Sequence, residues 1–200
     1  MSRRLSSLLL VGAVTVGLAG AHHADGAGSA NPDQATTDLL SGVDFVPTKS
    51  DLDDTMSDPE AELAAIATAD LIDSGLRVRA IRALGNYPDS QTVTALQQVI
   101  TRFVSATGGV ATLFVRSAAY SLAQVDGAGA VPTLGELLFH PSRDVRADAA
   151  HAMGMVGPAG APTAIPLLRA RLADQPGQPA EAEPQVRWAL TEAIRELSPM

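Results

Sequence analysis

Residues 130–157, AVPTLGELLFHPSRDVRADAAHAMGMVG, constrain this chain more than any other stretch. Val131, Leu134, Leu137 and Leu138 fall at i, i+3, i+6 and i+7, one face of a first helix. Pro141 ends that helix, because proline disfavours the helical conformation in the residue before it. Ser142 is placed to cap a second helix, and Asp144 puts a negative charge at its positive end. Val145, Ala149, Ala152 and Met153 then fall at i, i+4, i+7 and i+8, and Gly154 is placed as the stop. Neither short helix can bury its apolar stripe alone. The stretch therefore predicts one unit of a repeat whose neighbours complete the core.

Copies of the unit are found along the chain. The second-helix pattern is an aliphatic residue, an arginine, a small or apolar residue at +4 and a large apolar residue at +8. Leu76-Arg77, Ala80 and Leu84 match it, as do Val145-Arg146, Ala149 and Met153, and Val186-Arg187, Leu190 and Ile194. Val115-Arg116, Ala119 and Leu122 match with the last position one residue early. First helices are expected near Val93, Val131 and Ile165, with a weaker one over 59–72. From Val131 to Val145 is 14 residues, whereas Val93 to Val115 is 22 and Ile165 to Val186 is 21. Two units thus carry insertions, at 105–112 and 173–184, expected to form loops on one side of the array.

HPSRDVRADAAHAMGMVG resembles a HEAT repeat of the short bacterial type found also in phycobilisome lyase proteins. The resemblance rests on His140-Pro141, Asp144-Val145-Arg146, the alanines and Met153-Gly154, with Pro132 and Pro166 near the starts of first helices. It covers 59–197 and is strongest over 113–172. It implies an all-α fold, a right-handed α-solenoid of about four antiparallel helix pairs, with the second helices lining the concave face. It says little about activity, because this family is mainly a binding scaffold.

Composition agrees with packed helices. Aromatic residues make up 4% of the chain against 46% hydrophobic residues in all, so the core must be built from alanine and aliphatic side chains. The formal charge is −8 and Lys49 is the single lysine, a balance that repels phosphate backbones and argues against nucleic-acid binding. The absence of cysteine excludes disulfides, thiol catalysis and cysteine-ligated zinc.

The first 21 residues read as a signal peptide. Arg3 and Arg4 form a positive start, 8–18 an apolar run shorter than a membrane span, and Ala19-Gly20-Ala21 a small-x-small cleavage site. The product is expected to be exported, to the periplasm, the cell surface or the medium, with no transmembrane segment after cleavage. Residues 22–57 read as a flexible acidic linker and 58–200 as the repeat domain. Within the linker, Leu39, Leu40, Val43, Phe45 and Val46 form an apolar island able to dock onto the first repeat. Asp51, Asp53 and Asp54 do not make an EF-hand loop, since Met56 stands where its glycine is needed. His22 and His23 have no third ligand in view. No metal site and no cofactor are expected.

Two sets of residues stand out. Arg77, Arg116, Arg146 and Arg187 recur once per repeat. They are expected to be structural, bonding helix ends or turn acids such as Asp73, Asp144 and Glu183. Arg82, Tyr120, His151, Trp188 and Glu192 fall on the side of the second helices that the family resemblance makes concave, and are the candidate partner-binding residues. Trp188 is equally placed to cover the end of the last repeat. No nucleophile elbow, zinc-binding HExxH, phosphate loop or dinucleotide motif is present, so no catalytic residue is assigned. Glu181 and Glu183 lie in a proline-rich insertion, where a fixed carboxylate geometry is not expected. The leading expectation is an exported scaffold that binds another protein and performs no chemistry. The alternatives are an accessory subunit of a lyase-like enzyme and a structural spacer in the cell envelope.

Overall fold

The computed structural model of the protein describes residues 31–42, 47–177 and 179–198. The signal peptide expected over 1–21, His22, His23, and Val43, Phe45 and Val46 of the apolar island lie outside the described residues. Among the described residues the regular structure is helical, without a β-strand, and no helix is long and apolar enough to cross a membrane.

Four helix pairs make up the array. They are α3 (Pro59–Thr68) with α4 (Ser74–Ala83), α5 (Ser90–Phe103) with α6 (Gly109–Asp126), α7 (Val131–Leu137) with α8 (Arg143–Gly154), and α9 (Gly157–Leu172) with α10 (Pro184–Leu197). Within each pair the helices pack antiparallel, and the second helices stack in order, α4 on α6, α6 on α8 and α8 on α10. The chain is an all-α solenoid.

The stripes read from the sequence face inward. Val131, Leu134, Leu137 and Leu138 on the first helix of the opening unit, and Val145, Ala149, Ala152 and Met153 on the second, are all fully buried. Each buried leucine, valine or methionine contributes about 1.5–3 kcal/mol of transfer free energy. Alanines fill the stacking seam. Ala118, Ala119, Ala149, Ala150, Ala189 and Ala193 are buried on α6, α8 and α10, and such short side chains let helix axes approach to about 8 Å.

Local chemistry sets the ends. Asp58, Asp73 and Asp89 cap α3, α4 and α5 through their carboxylates. Ser142 precedes α8 without a side-chain capping bond; its backbone N–H donates instead to Nδ1 of His140 at 3.0 Å. The first helix expected near Ile165 begins eight residues earlier, at Gly157. That glycine has φ +73°, a left-handed turn that sets the direction of α9, and Pro158 follows at the helix start. Pro162 and Pro166 lie inside α9 but on its exposed side, where the carbonyls they leave unbonded meet water. The insertion expected at 105–112 is shorter as a loop than it looks, because 109–112 form the first turn of the 18-residue α6.

The flexible linker expected over 22–57 is corrected over much of its length by two short helices, α1 (Gln34–Ser41) and α2 (Lys49–Thr55). Asp33 caps α1, and Thr48 and Asp51 close a reciprocal capping box on α2. Leu40 and Leu52 are fully buried, and α1 packs on α4. Tyr87 donates its hydroxyl hydrogen bond to Asp53 at 2.8 Å, and Lys49 lies 4.6 Å from the centre of the Tyr87 ring. This segment covers the first repeat as a further unit would. Leu40→Ala is expected to lower unfolding stability by about 2–5 kcal/mol. An unchanged denaturation midpoint would show that the segment is only loosely associated.

Candidate functional site

The repeat arginines are held by the backbone. Arg77 donates through Nε and Nη2 to the carbonyl of Ala67, near the end of α3. Arg146 donates to the carbonyls of His140 and Pro141 in the turn after α7, and Arg187 to those of Leu172 and Glu181 after α9. In three of four repeats the arginine that opens the second helix thus satisfies carbonyls at or beyond the end of its own first helix. Arg77 also packs over the ring of Phe114, 4.4 Å from its centre. Arg116 departs from the pattern. Its guanidinium pairs with Asp148 on α8, Nε to Oδ2 at 2.5 Å.

The acids named as partners do other work. Asp73 caps α4, Asp144 lies 3.5 Å from its neighbour Arg143, and Glu183 offers its backbone N–H to Glu181. Two arginines on first helices, unmarked in the sequence, make a second set of bonds between repeats. Arg102 of α5 reaches the carbonyl of Thr68 and pairs with Asp70, and Arg171 of α9 reaches the carbonyl of Leu138. Each bridges from one first helix to the end of the one before.

Glu181 overturns the expectation for its insertion. It is 3% exposed and its carboxylate is fixed from three sides. Oε2 accepts from Nε of Arg146 at 2.8 Å and from Nη2 of Arg171 at 2.6 Å. Oε1 accepts from Nη2 of Arg146 and from the backbone N–H of Glu183. Burial alone would raise its pKa. The hydrogen bonds from Arg146 and Glu183, with the charges of both arginines, outweigh that cost and hold it below the ordinary glutamate value. The proline-rich loop is therefore pinned to the third and fourth repeats.

The candidate binding residues fall into two linked groups. Arg82 and Tyr120 line one groove of about 390 Å³ across α4, α6 and α8, together with Leu113, Arg116, Ser117, Ser121, Gln124 and Asp148. Arg82 touches Ser117, Nε to Oγ at 3.4 Å. Burial and then the negative charge of Asp148 push the Tyr120 hydroxyl up to about 12, so it stays protonated and acts as a hydrogen-bonding group throughout the physiological range. Further along, His151 and Trp188 meet edge to face with ring centres 5.4 Å apart. Trp188 remains 60% exposed. Asp148, three residues before His151 on the same face of α8, joins the two groups. Glu192, four residues after Trp188 on α10, pairs with Arg195. Asp148, Ser117 and Gln124 were missed in the sequence, although helical spacing from Arg116, Tyr120 and His151 places them on the same faces.

A family model described as HEAT repeats matches residues 115–195, and one described as PBS lyase HEAT-like repeat matches 76–101. The chain is a HEAT-repeat protein. The matched segments begin within α4 and end within α10, with 102–114 outside both, and they hold the His151–Trp188 pair and the groove residues apart from Leu113. HEAT repeats typically mediate protein interactions, which makes an interaction scaffold the function the family suggests. No curated protein and no solved structure matches the chain. Among the described residues no group of three or more histidines, aspartates or glutamates is placed to hold a metal ion.

The Glu181 clasp gives a pH test. A carboxylate whose pKa is depressed by folding stabilises the native state above its unfolded pKa, and that contribution is lost as pH falls through the folded value. Glu181→Gln is expected to cost about 3 kcal/mol at neutral pH. Its stability should also fall less steeply than that of the parent between about pH 5 and 3. Parallel stability–pH curves from urea titrations would remove Glu181 from this role.

Proposed function

We propose that this HEAT-repeat protein is an exported scaffold that binds another protein through the exposed side of its second helices and performs no chemistry of its own. The observation that carries the reading is the line of side chains from Arg82 through Tyr120 and Asp148 to His151 and Trp188. It combines a polar groove with an exposed tryptophan. Tryptophan, tyrosine and arginine are enriched among binding hot spots, and the two aromatics bury much area at low entropic cost while carrying a polar group. The buried carboxylate of Glu181 is consumed by structural arginines, and the carboxylate of Asp148 is paired, which favours recognition over acid–base work at these positions. Export rests on the arginine pair, short apolar run and small-residue site of the first 21 residues.

Affinity capture with the protein purified from the envelope fraction of its host tests both halves of the reading. The native chain is expected to begin at His22 and to retain a partner protein. Trp188→Ala and Tyr120→Ala should each weaken that partner by roughly 30-fold or more. Leu71→Ala, on the fully exposed turn after α3, should leave it unchanged. Recovery of the native chain in the cytoplasmic fraction with an intact Met1 would contradict export. Undiminished capture by folded Trp188→Ala and Tyr120→Ala variants would contradict the second-helix face.

A further inference from the structure

Once the bonds that hold the solenoid are assigned, two cations on α4 are left over. Arg79 and Arg82 lie three residues apart, on one face of the helix. Among the described residues neither forms an ion pair, and the hydrogen bond of Arg82 is the long one to the Ser117 hydroxyl. They flank a depression of about 300 Å³ whose floor is aliphatic, with Val78, Val110 and Leu113 in it. Val110 is 46% exposed there. Arg82 and Leu113 also line the groove that leads to Tyr120, so the two hollows share a wall and form one trough.

The carboxylates nearest the trough are engaged. Asp73 accepts from the backbone N–H groups of Gly75 and Leu76, and Asp148 is paired with Arg116. In a chain of net charge −8, the trough is thus a local positive site over an apolar floor. We propose that it takes an acidic peptide segment of the partner protein. Carboxylates of that segment meet Arg79 and Arg82, and an aliphatic side chain between them sits on Val110 and Leu113. This rests on the reading of the second-helix face as the partner-binding surface, and adds the chemistry of what it recognises. Arginine suits the task because its planar guanidinium bonds a carboxylate through two parallel N–H groups. A nucleic acid fits less well. The α4 end presents aliphatic side chains, which suit the aliphatic side chain of a peptide, where bases need aromatic platforms.

Fluorescence anisotropy on the full chain tests the proposal with labelled nonapeptides. One alternates Asp or Glu with Leu, a second replaces each acid by its amide, and a third replaces it by Lys. The acidic peptide is expected to bind at least ~10-fold tighter than its amide twin at low ionic strength, with the margin shrinking as salt rises. Arg79→Gln/Arg82→Gln should erase the margin while circular dichroism stays unchanged. Arg79→Glu/Arg82→Glu should transfer the preference to the lysine peptide. Equal affinity for acidic and amide peptides overturns the proposal, as does tighter binding of a single-stranded oligonucleotide. So does self-association of the chain that the charge reversal abolishes without any peptide effect, which would assign the trough to a second copy. Partner capture lost in Trp188→Ala, together with no acidic preference, would overturn the acidic-peptide assignment and leave the second-helix face standing. Capture unaffected by Trp188→Ala and Tyr120→Ala would overturn the face as well.

Discussion

Stacking of second helices on one another is the interaction on which everything else in this structure depends. A ten- to eighteen-residue helix with one apolar stripe gains little by folding alone, and a pair of such helices still leaves an apolar side open. The seam of buried alanines on α6, α8 and α10 closes that side by letting neighbouring pairs approach. The arginines then act at the edges of the seam. One set ties each second helix to the end of its own first helix, and a second set, Arg102 and Arg171, ties successive first helices together. The two sets restrict sliding between and within pairs, which apolar stacking alone does not.

Departures from the regular unit carry the distinctive features. Arg116, on the helix that follows the 104–108 loop, leaves the carbonyl pattern and pairs with Asp148, which builds one wall of the groove. The insertion before α10 folds back through Glu181 and links Arg146 to Arg171, so it stiffens the array at the repeat that presents Trp188. The segment ahead of the first repeat covers that repeat with Leu40 and Leu52 and leaves the α4 face with Arg79 and Arg82 open. A repetitive core thereby supports a surface that differs from one repeat to the next.

The stripe from Val131 to Met153 was legible because helical periodicity and burial report the same thing, and every one of its eight positions is inside. The order of the four pairs followed from it. Less legible were features whose partners lie far apart in sequence. Glu181 sits among prolines that suggest irregular chain, and its arginine partners are 35 and 10 residues away, a separation no local pattern encodes. α1 and α2 are too short to show a stripe, and each depends on one anchoring leucine. Their caps, Asp33 and the Thr48–Asp51 box, were the readable signal. On the binding face, Tyr120 and Trp188 stood out by residue type, whereas Asp148 and Ser117 became visible only when the register between α6 and α8 was known.

Native-state hydrogen exchange on the intact protein and on Met153→Ala tests the dependence on stacking most directly, because Met153 is fully buried on α8, which packs against both α6 and α10. If the pairs form one cooperative unit, the slowest amides of α6, α8 and α10 should lose protection together and by the same free energy, about 2–5 kcal/mol for this truncation. Loss of protection confined to α8, with α6 and α10 exchanging as in the parent, would contradict the claim that each pair is stable only through its neighbours.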